Sequence, residues 1–189
     1  SQAMVKLMGG ELQVDSRIGQ GTTFFFTLNL ETAQEQVQQA VERRQILGLA
    51  EGEPTRKILV VDDQVDNRDL ARELLEGWGF EVQVAEDGLS ALEVWGKWAP
   101  EAVFMDLRMP RMGGEAAAKR LRELEGSGRR TPLFALTASV LGTERQAVLA
   151  AGFDEFIQKP FHEHVLAEVL ERYLGAHFRS ESMEPHPTA

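Results

Sequence analysis

Two short stretches constrain this chain more than any others. Ile58-Leu59-Val60-Val61 and Ala102-Val103-Phe104-Met105 are unbroken apolar runs. A strand with one wet face alternates polar and apolar residues, whereas a continuous run suits a strand covered on both faces, as in a parallel sheet sandwiched by helices. The surrounding pattern repeats in the same sense. It predicts strands near 57–61, 80–84, 102–105, 132–136 and 154–158. Amphipathic helices are predicted near 65–77, 88–98, 114–125, 141–151 and 162–174. Gly77 and Gly79 stop the first helix, and Pro100 and Gly152 punctuate later ones. Five β–α pairs in series imply an α/β domain with a doubly wound, five-stranded parallel sheet.

Composition narrows the chemistry. The 189 residues include no cysteine, which excludes disulfides, thiolate metal sites and cysteine nucleophiles. The 30 acidic and 20 basic residues give a net charge of −10, which disfavours a general binder of nucleic-acid phosphates. No apolar run approaches the roughly 20 residues that span a bilayer, and no signal peptide opens the chain. No membrane contact by this segment and a cytoplasmic location are therefore expected.

Outside residues 57–174 the chain divides into three further segments. In residues 1–30, Glu11 to Val14 and Thr23 to Leu30 read as two strands around a glycine turn, with Phe24, Phe26, Leu28 and Leu30 on one face. Thirty residues cannot bury a core of their own, so this segment is expected to be poorly ordered or paired with another chain. Residues 31–56, rich in Gln and Glu, read as a solvated linker. Residues 175–189 read as a flexible tail. Deleting residues 1–52 is accordingly expected to leave the 57–174 domain nearly as stable as before.

Ligands of open parallel sheets bind beyond the carboxyl ends of the strands. Here those ends carry Asp62-Asp63, Asp106, Thr137 and Lys159-Pro160. Each alone is most simply a surface acid, a turn residue, a helix cap or a loop. Together they bring three carboxylates, a hydroxyl and an ammonium to one rim. Converging carboxylates call for a cation, and an all-oxygen site suits Mg²⁺. Asp106 is the natural nucleophile toward a phosphoryl group, with Lys159 and Thr137 placed to bind its oxygens. His162 and His164, two apart at the start of a helix, are expected to point to different sides and to bind no metal. Trp78, Trp95 and Trp98 read as packing residues.

Residues 57–174 resemble the receiver domain of two-component response regulators, a (βα)5 flavodoxin-like fold. The resemblance lies in Ile58-Leu59-Val60-Val61-Asp62-Asp63, the run from Met105-Asp106 to Gly113-Gly114, Leu136-Thr137-Ala138 and Lys159-Pro160-Phe161. It implies that Asp106 accepts the phosphoryl group. It also implies that Asp63, Asp106 and the backbone carbonyl of Arg108 bind Mg²⁺, and that Asp62 holds a metal-bound water. Lys159 and Thr137 then contact the phosphoryl oxygens, Thr137 and Phe156 form a switch, and Lys159-Pro160 is a cis bond. Val65, beside the acidic pair, is expected to help form a docking face. The implied partners are a histidine kinase domain or a histidine phosphotransfer protein.

Residues 4–30 resemble the closing portion of a histidine-kinase ATP-binding domain, through Leu7-Met8-Gly9-Gly10-Glu11-Leu12 and Gly19-Gln20-Gly21-Thr22-Thr23-Phe24. This points to a piece of a hybrid sensor histidine kinase. The other nucleotide boxes and a phosphorylatable dimerisation histidine do not occur, so no kinase activity is assigned to this chain. Three rivals stand beside this reading. A free-standing regulator acting by protein contact would lack the kinase-like segment. A Mg²⁺-dependent phosphatase of the haloacid dehalogenase type would carry Asp-x-Asp on its first strand. A flavin-binding domain needs a phosphate cradle where Asp62-Asp63-Gln64-Val65-Asp66 stands.

Overall fold

The computed structural model describes residues 11–17, 21–27, 44–126, 128, 130–138 and 142–182. The chain separates into two compact units, residues 1–41 and 42–189. In the first, β1 (Glu11–Arg17) and β2 (Gly21–Thr27) form an antiparallel hairpin. Leu12 lies opposite Phe26 and Val14 opposite Phe24. The two expected strands are present, while residues 18–20 of the expected turn lie outside the described residues. Leu28 and Leu30 lie outside the described residues.

The second unit is built on five parallel strands, β4 (Lys57–Val61), β5 (Glu81–Ala85), β6 (Ala102–Asp106), β7 (Leu133–Thr137) and β8 (Glu155–Gln158). Their spatial order is β5-β4-β6-β7-β8. The intervening helices are α1 (Val65–Gly77), α2 (Gly88–Trp98), α3 (Gly114–Glu125), α4 (Gly142–Ala150) and α5 (Glu163–Leu174). Each expected element is present within two residues of its predicted bounds.

Alternation along each strand sorts the core into two layers. Ile58, Val60, Phe104, Phe134 and Ile157 pack with Ala71 and Leu75 of α1 and with Leu166 and Leu170 of α5. Leu59, Val61, Val103, Met105 and Ala135 pack instead with α2, α3 and α4 through Ala91, Ala117, Leu121 and Val148. All four residues from Ile58 to Val61 have zero exposure, which explains their unbroken apolar character. Each such side chain contributes about 1.5–3 kcal/mol on burial. Sheet order reverses at β4, so a crevice opens between the carboxyl ends of β4 and β6.

The readings of 31–56 as a linker and of 175–189 as a tail need correction. Within them, β3 (Arg44–Leu49) and β9 (Phe178–Ser182) pair antiparallel, with a register shift between Ile46 and Gly48. Ile46, Leu49 and Phe178 pack against the α1/α5 layer of the core. The Phe178 ring meets Trp78 edge-on at 5.3 Å and Phe80 at 6.1 Å. The Leu49 amide donates to the Trp78 carbonyl at 2.8 Å. Each strand carries too few apolar residues to show a period, and its partner lies more than a hundred residues away. Pairing therefore has no local signature.

The ribbon reverses the deletion expected from sequence. Removing residues 1–52 takes away β3 and leaves β9 unpaired, so it should destabilise the α/β unit, whereas removing residues 1–41 alone should not. Phe178→Ala should cost about 2 kcal/mol or more. Urea melts of the three variants check this, and a wild-type midpoint for Phe178→Ala would show the ribbon to be energetically idle.

Candidate functional site

The rim at the strand ends is organised around one buried carboxylate. Asp62 is 1% exposed, immediately after β4. A buried charge needs partners, and α1 supplies several. The Gln64 amide donates to Asp62 Oδ1 at 2.9 Å, and the Asn67 side-chain amide donates to both carboxylate oxygens at 3.1 and 3.2 Å. The Arg68 guanidinium donates to the Asp62 carbonyl at 2.6 Å. Asn67 and Arg68 were missed from sequence. Their one signal is position, since the first turns of α1 follow closely on the strand end that carries Asp62.

Lys159 completes the arrangement. Its ammonium donates to Asp62 Oδ2 at 2.5 Å and to Asp106 Oδ2 at 2.6 Å. The peptide bond to Pro160 is cis, as expected, and the Lys159 amide donates to the Thr137 carbonyl at 2.7 Å. The end of β7 thus sets the position from which Lys159 reaches across. Asp106 is half-buried, and its Oδ1 accepts from the Arg108 amide at 3.1 Å. Directly behind it, α3 starts with Gly114, where a Cβ would fall 2.3 Å from the Asp106 carbonyl oxygen. Only glycine permits that approach.

Carboxylate oxygens of Asp62, Asp63 and Asp106 lie within 4.8 Å of one another. The Lys159 ammonium bonds two of these three carboxylates, which leaves a donor set with charge to spare for a hard divalent cation. Asp62, Asp63, Asp106 and Lys159 stand together at the rim, and Thr137 ends the neighbouring strand β7. Phe156 stands on β8 two residues before its end, half-buried against the α2–α4 layer. Val65, first in α1, is 55% exposed beside the acidic pair.

One expectation about side-chain direction fails. The His162 and His164 rings do not diverge but stack, with centroids 5.6 Å apart. His162 is the N-cap with extended backbone, so helical spacing does not relate it to His164. The tryptophans pack as expected, with Trp78 buried and the Trp95 indole donating to Thr131 Oγ1 at 3.1 Å. No helix among the described residues is long and apolar enough to cross a membrane.

Comparison with known proteins fits this geometry. The response regulator receiver domain family matches residues 58–171. The chain belongs to that family. The receiver is similar to those of hybrid sensor kinases. Sensor histidine kinase AruS of Pseudomonas aeruginosa is 33% identical over 90% of this chain and 16% of its own length. The aerobic respiration control sensor ArcB of Escherichia coli is 31% identical over 96% of this chain and 23% of its own length. The chain thus spans less than a quarter of these two relatives.

Among solved structures, the receiver domain of a Pseudomonas aeruginosa PAO1 sensor histidine kinase, with magnesium coordinated in its active-site cleft, is 32% identical. It superimposes with a TM-score of 0.59, covering 65% of this chain and 99% of that one. The receiver domain of Ssk1, co-crystallised with the histidine phosphotransfer protein Ypd1 of Saccharomyces cerevisiae, is 28% identical. Its TM-score is 0.58, over 64% of this chain and 89% of that one.

The Lys159 ion pairs carry a pH signature. Burial alone pushes the ammonium's pKa down, but hydrogen bonds and charge from Asp106 and Asp62 outweigh it and hold the value above its ordinary 10.5. A raised folded-state value stabilises fully below 10.5, and the contribution is lost as pH rises through the folded value. Lys159→Met should therefore lower the melting temperature at pH 7 in metal-free buffer, and the gap from wild type should narrow above pH 10.5. A gap independent of pH would assign the loss to packing.

Proposed function

We propose that this receiver is the phosphoacceptor module of a phosphorelay, taking a phosphoryl group from phosphohistidine onto Asp106. The supporting observation is the convergence of Asp62, Asp63 and Asp106 within 4.8 Å of one another, with the Lys159 ammonium bonded to two of them. In the transfer, an Asp106 carboxylate oxygen attacks phosphorus. The P–N bond breaks, the imidazole leaves with the bonding electron pair, and an acyl phosphate forms. Lys159, already 2.6 Å from Asp106, exchanges a carboxylate partner for a phosphoryl oxygen. The Thr137 hydroxyl donates to another. Neither proton is given up, because both groups act as hydrogen-bond donors to developing charge.

Asp63, Asp106 and the Arg108 carbonyl would hold Mg²⁺, with Asp62 behind them, fixed by Gln64 and Asn67. Bound there, Mg²⁺ supplies neutralisation of the phosphoryl oxygens against a carboxylate nucleophile. Thr137 and Phe156 would form the switch. As Thr137 draws toward the phosphoryl group, Phe156 moves inward and shifts the population of the α4–β8–α5 face.

The parent protein is inferred to be a cytoplasmic part of a hybrid sensor histidine kinase. The similarity to AruS and ArcB runs over 90% and 96% of this chain, well beyond the receiver itself. The β1–β2 hairpin would then be the last portion of the kinase ATP-binding domain, and the donors a histidine kinase domain or a histidine phosphotransfer protein.

Asp106→Asn tests the reading. It should abolish labelling by acetyl phosphate and weaken Mg²⁺ binding while leaving the fold intact. Mg²⁺ at 100 times its dissociation constant should stabilise wild type by about 2.7 kcal/mol. Without metal, the variant should melt close to wild type, because relief of the repulsion from Asp62 and Asp63 offsets the lost ion pair with Lys159, which keeps its bond to Asp62. A variant clearly less stable in metal-free buffer would make Asp106 a structural residue.

A further inference from the structure

The mechanism leaves one charged pair beside the site unused. Asp87 is completely buried between β5 and α2. Its Oδ1 is committed to a capping box, accepting from the Ser90 amide and hydroxyl at 2.9 Å each. Its Oδ2 has no hydrogen-bond partner of that kind and meets the Nε of Arg111 instead. The other arm of the same guanidinium reaches Glu86 Oε1 at 2.5 Å. Burial pushes the Asp87 carboxyl's pKa up, but the Ser90 hydrogen bonds and the Arg111 charge more than offset this and hold it below its ordinary range.

Arg111 lies in the segment between β6 and α3, five residues after Asp106. Its backbone is left-handed at φ 59°, a conformation that costs a residue with a Cβ and persists where surroundings enforce it. The contacts around it are close. The Gly88 amide donates to the Met112 carbonyl at 3.0 Å. A Cβ on Gly88 would lie 2.7 Å from Met112 Cγ and 2.8 Å from the Met112 carbonyl oxygen. At the far end the Gly114 amide donates to the Leu107 carbonyl at 3.0 Å. The segment is thus pinned to the β5–α2 turn at one point and closed on its own first residue at the other. Between them lies Arg108, whose amide orients the Asp106 carboxylate.

We infer that Arg111 is a positioning residue: by bridging Glu86 and the buried Asp87, it holds residues 107–113 in the conformation that aims Asp106 and the Arg108 carbonyl into the cation site. This rests on the Mg²⁺ site proposed above. The fork geometry matters, because Nε and Nη2 meet Asp87 and Glu86 from two separated points of one rigid plane, whereas a lysine here would have to reach both carboxylates from a single nitrogen. The buried Asp87 supplies the fixed end, since a charge held by a helix cap inside the protein has no alternative partner.

Calorimetric titration of the full chain with MgCl₂ tests this. Arg111→Ala should raise the dissociation constant for Mg²⁺ about tenfold. Phosphorylation by acetyl phosphate should slow at low Mg²⁺ and recover toward the wild-type maximum when Mg²⁺ saturates. A residue that served only the fold would not produce that split. Arg111→Lys should restore little of the affinity. Asp87→Asn keeps an oxygen for the cap but removes the charge, and should weaken Mg²⁺ binding similarly. The double variant should then be no worse than either single one, because both break the same link. If Arg111→Ala does not fold, Arg111→Lys carries the same criterion. Variants that bind Mg²⁺ as tightly as a competent wild type overturn the positioning role alone. A wild-type chain that takes up no Mg²⁺ overturns both this role and the site it serves.

Discussion

The site depends on one ammonium held between two carboxylates. Lys159 comes from the far side of the β6–β7 pair and reaches Asp62 and Asp106 together. Asp62 has no exposure to spare, so its charge is tolerable only because Lys159, Asn67 and the Gln64 amide surround it. Such a group, stripped of partners, is among the most costly features a fold can carry. The parallel sheet is what makes the arrangement possible. It sends the ends of β4, β6 and β7 to one edge, and hydrogen-bond register between Thr137 and Lys159 sets the last reach.

That edge is closely packed on both sides. Behind Asp106, Gly114 lets α3 start against the strand's own carbonyl. Beside it, residues 107–113 are clasped to the β5–α2 turn. At the opposite end of the sheet, β3 and β9 close the core over Trp78 and Phe80. The ribbon completes the layer on which α1 rests. α1 in turn carries the Asn67 and Arg68 groups that hold Asp62 in place.

The sequence made the central features readable because they are local or periodic. Ile58 to Val61 and Ala102 to Met105 declare doubly covered strands by composition alone. Asp62, Asp63, Asp106, Thr137 and Lys159 are legible because each sits at a strand end, and topology then gathers them. What escaped was relational. Nothing in Arg44–Leu49 signals that Phe178–Ser182 will pair with it, and both segments read as solvated. The stacking of His162 on His164 escaped because helical spacing was applied across an N-cap. Arg111 and Asp87 escaped for a third reason. A salt bridge between two loops has no pattern until the loops are placed side by side.

The central claim is that the carboxylate of Asp106, among three neighbouring ones, receives the phosphoryl group. Borohydride reduces an acyl phosphate to the alcohol, which converts the modified aspartate to homoserine and marks it in a peptide mass map. Treating the chain with acetyl phosphate and Mg²⁺, then reducing it, should place homoserine at position 106 and leave Asp62 and Asp63 unchanged. Homoserine at 62 or 63, or at no position after verified phosphate uptake, would contradict the account.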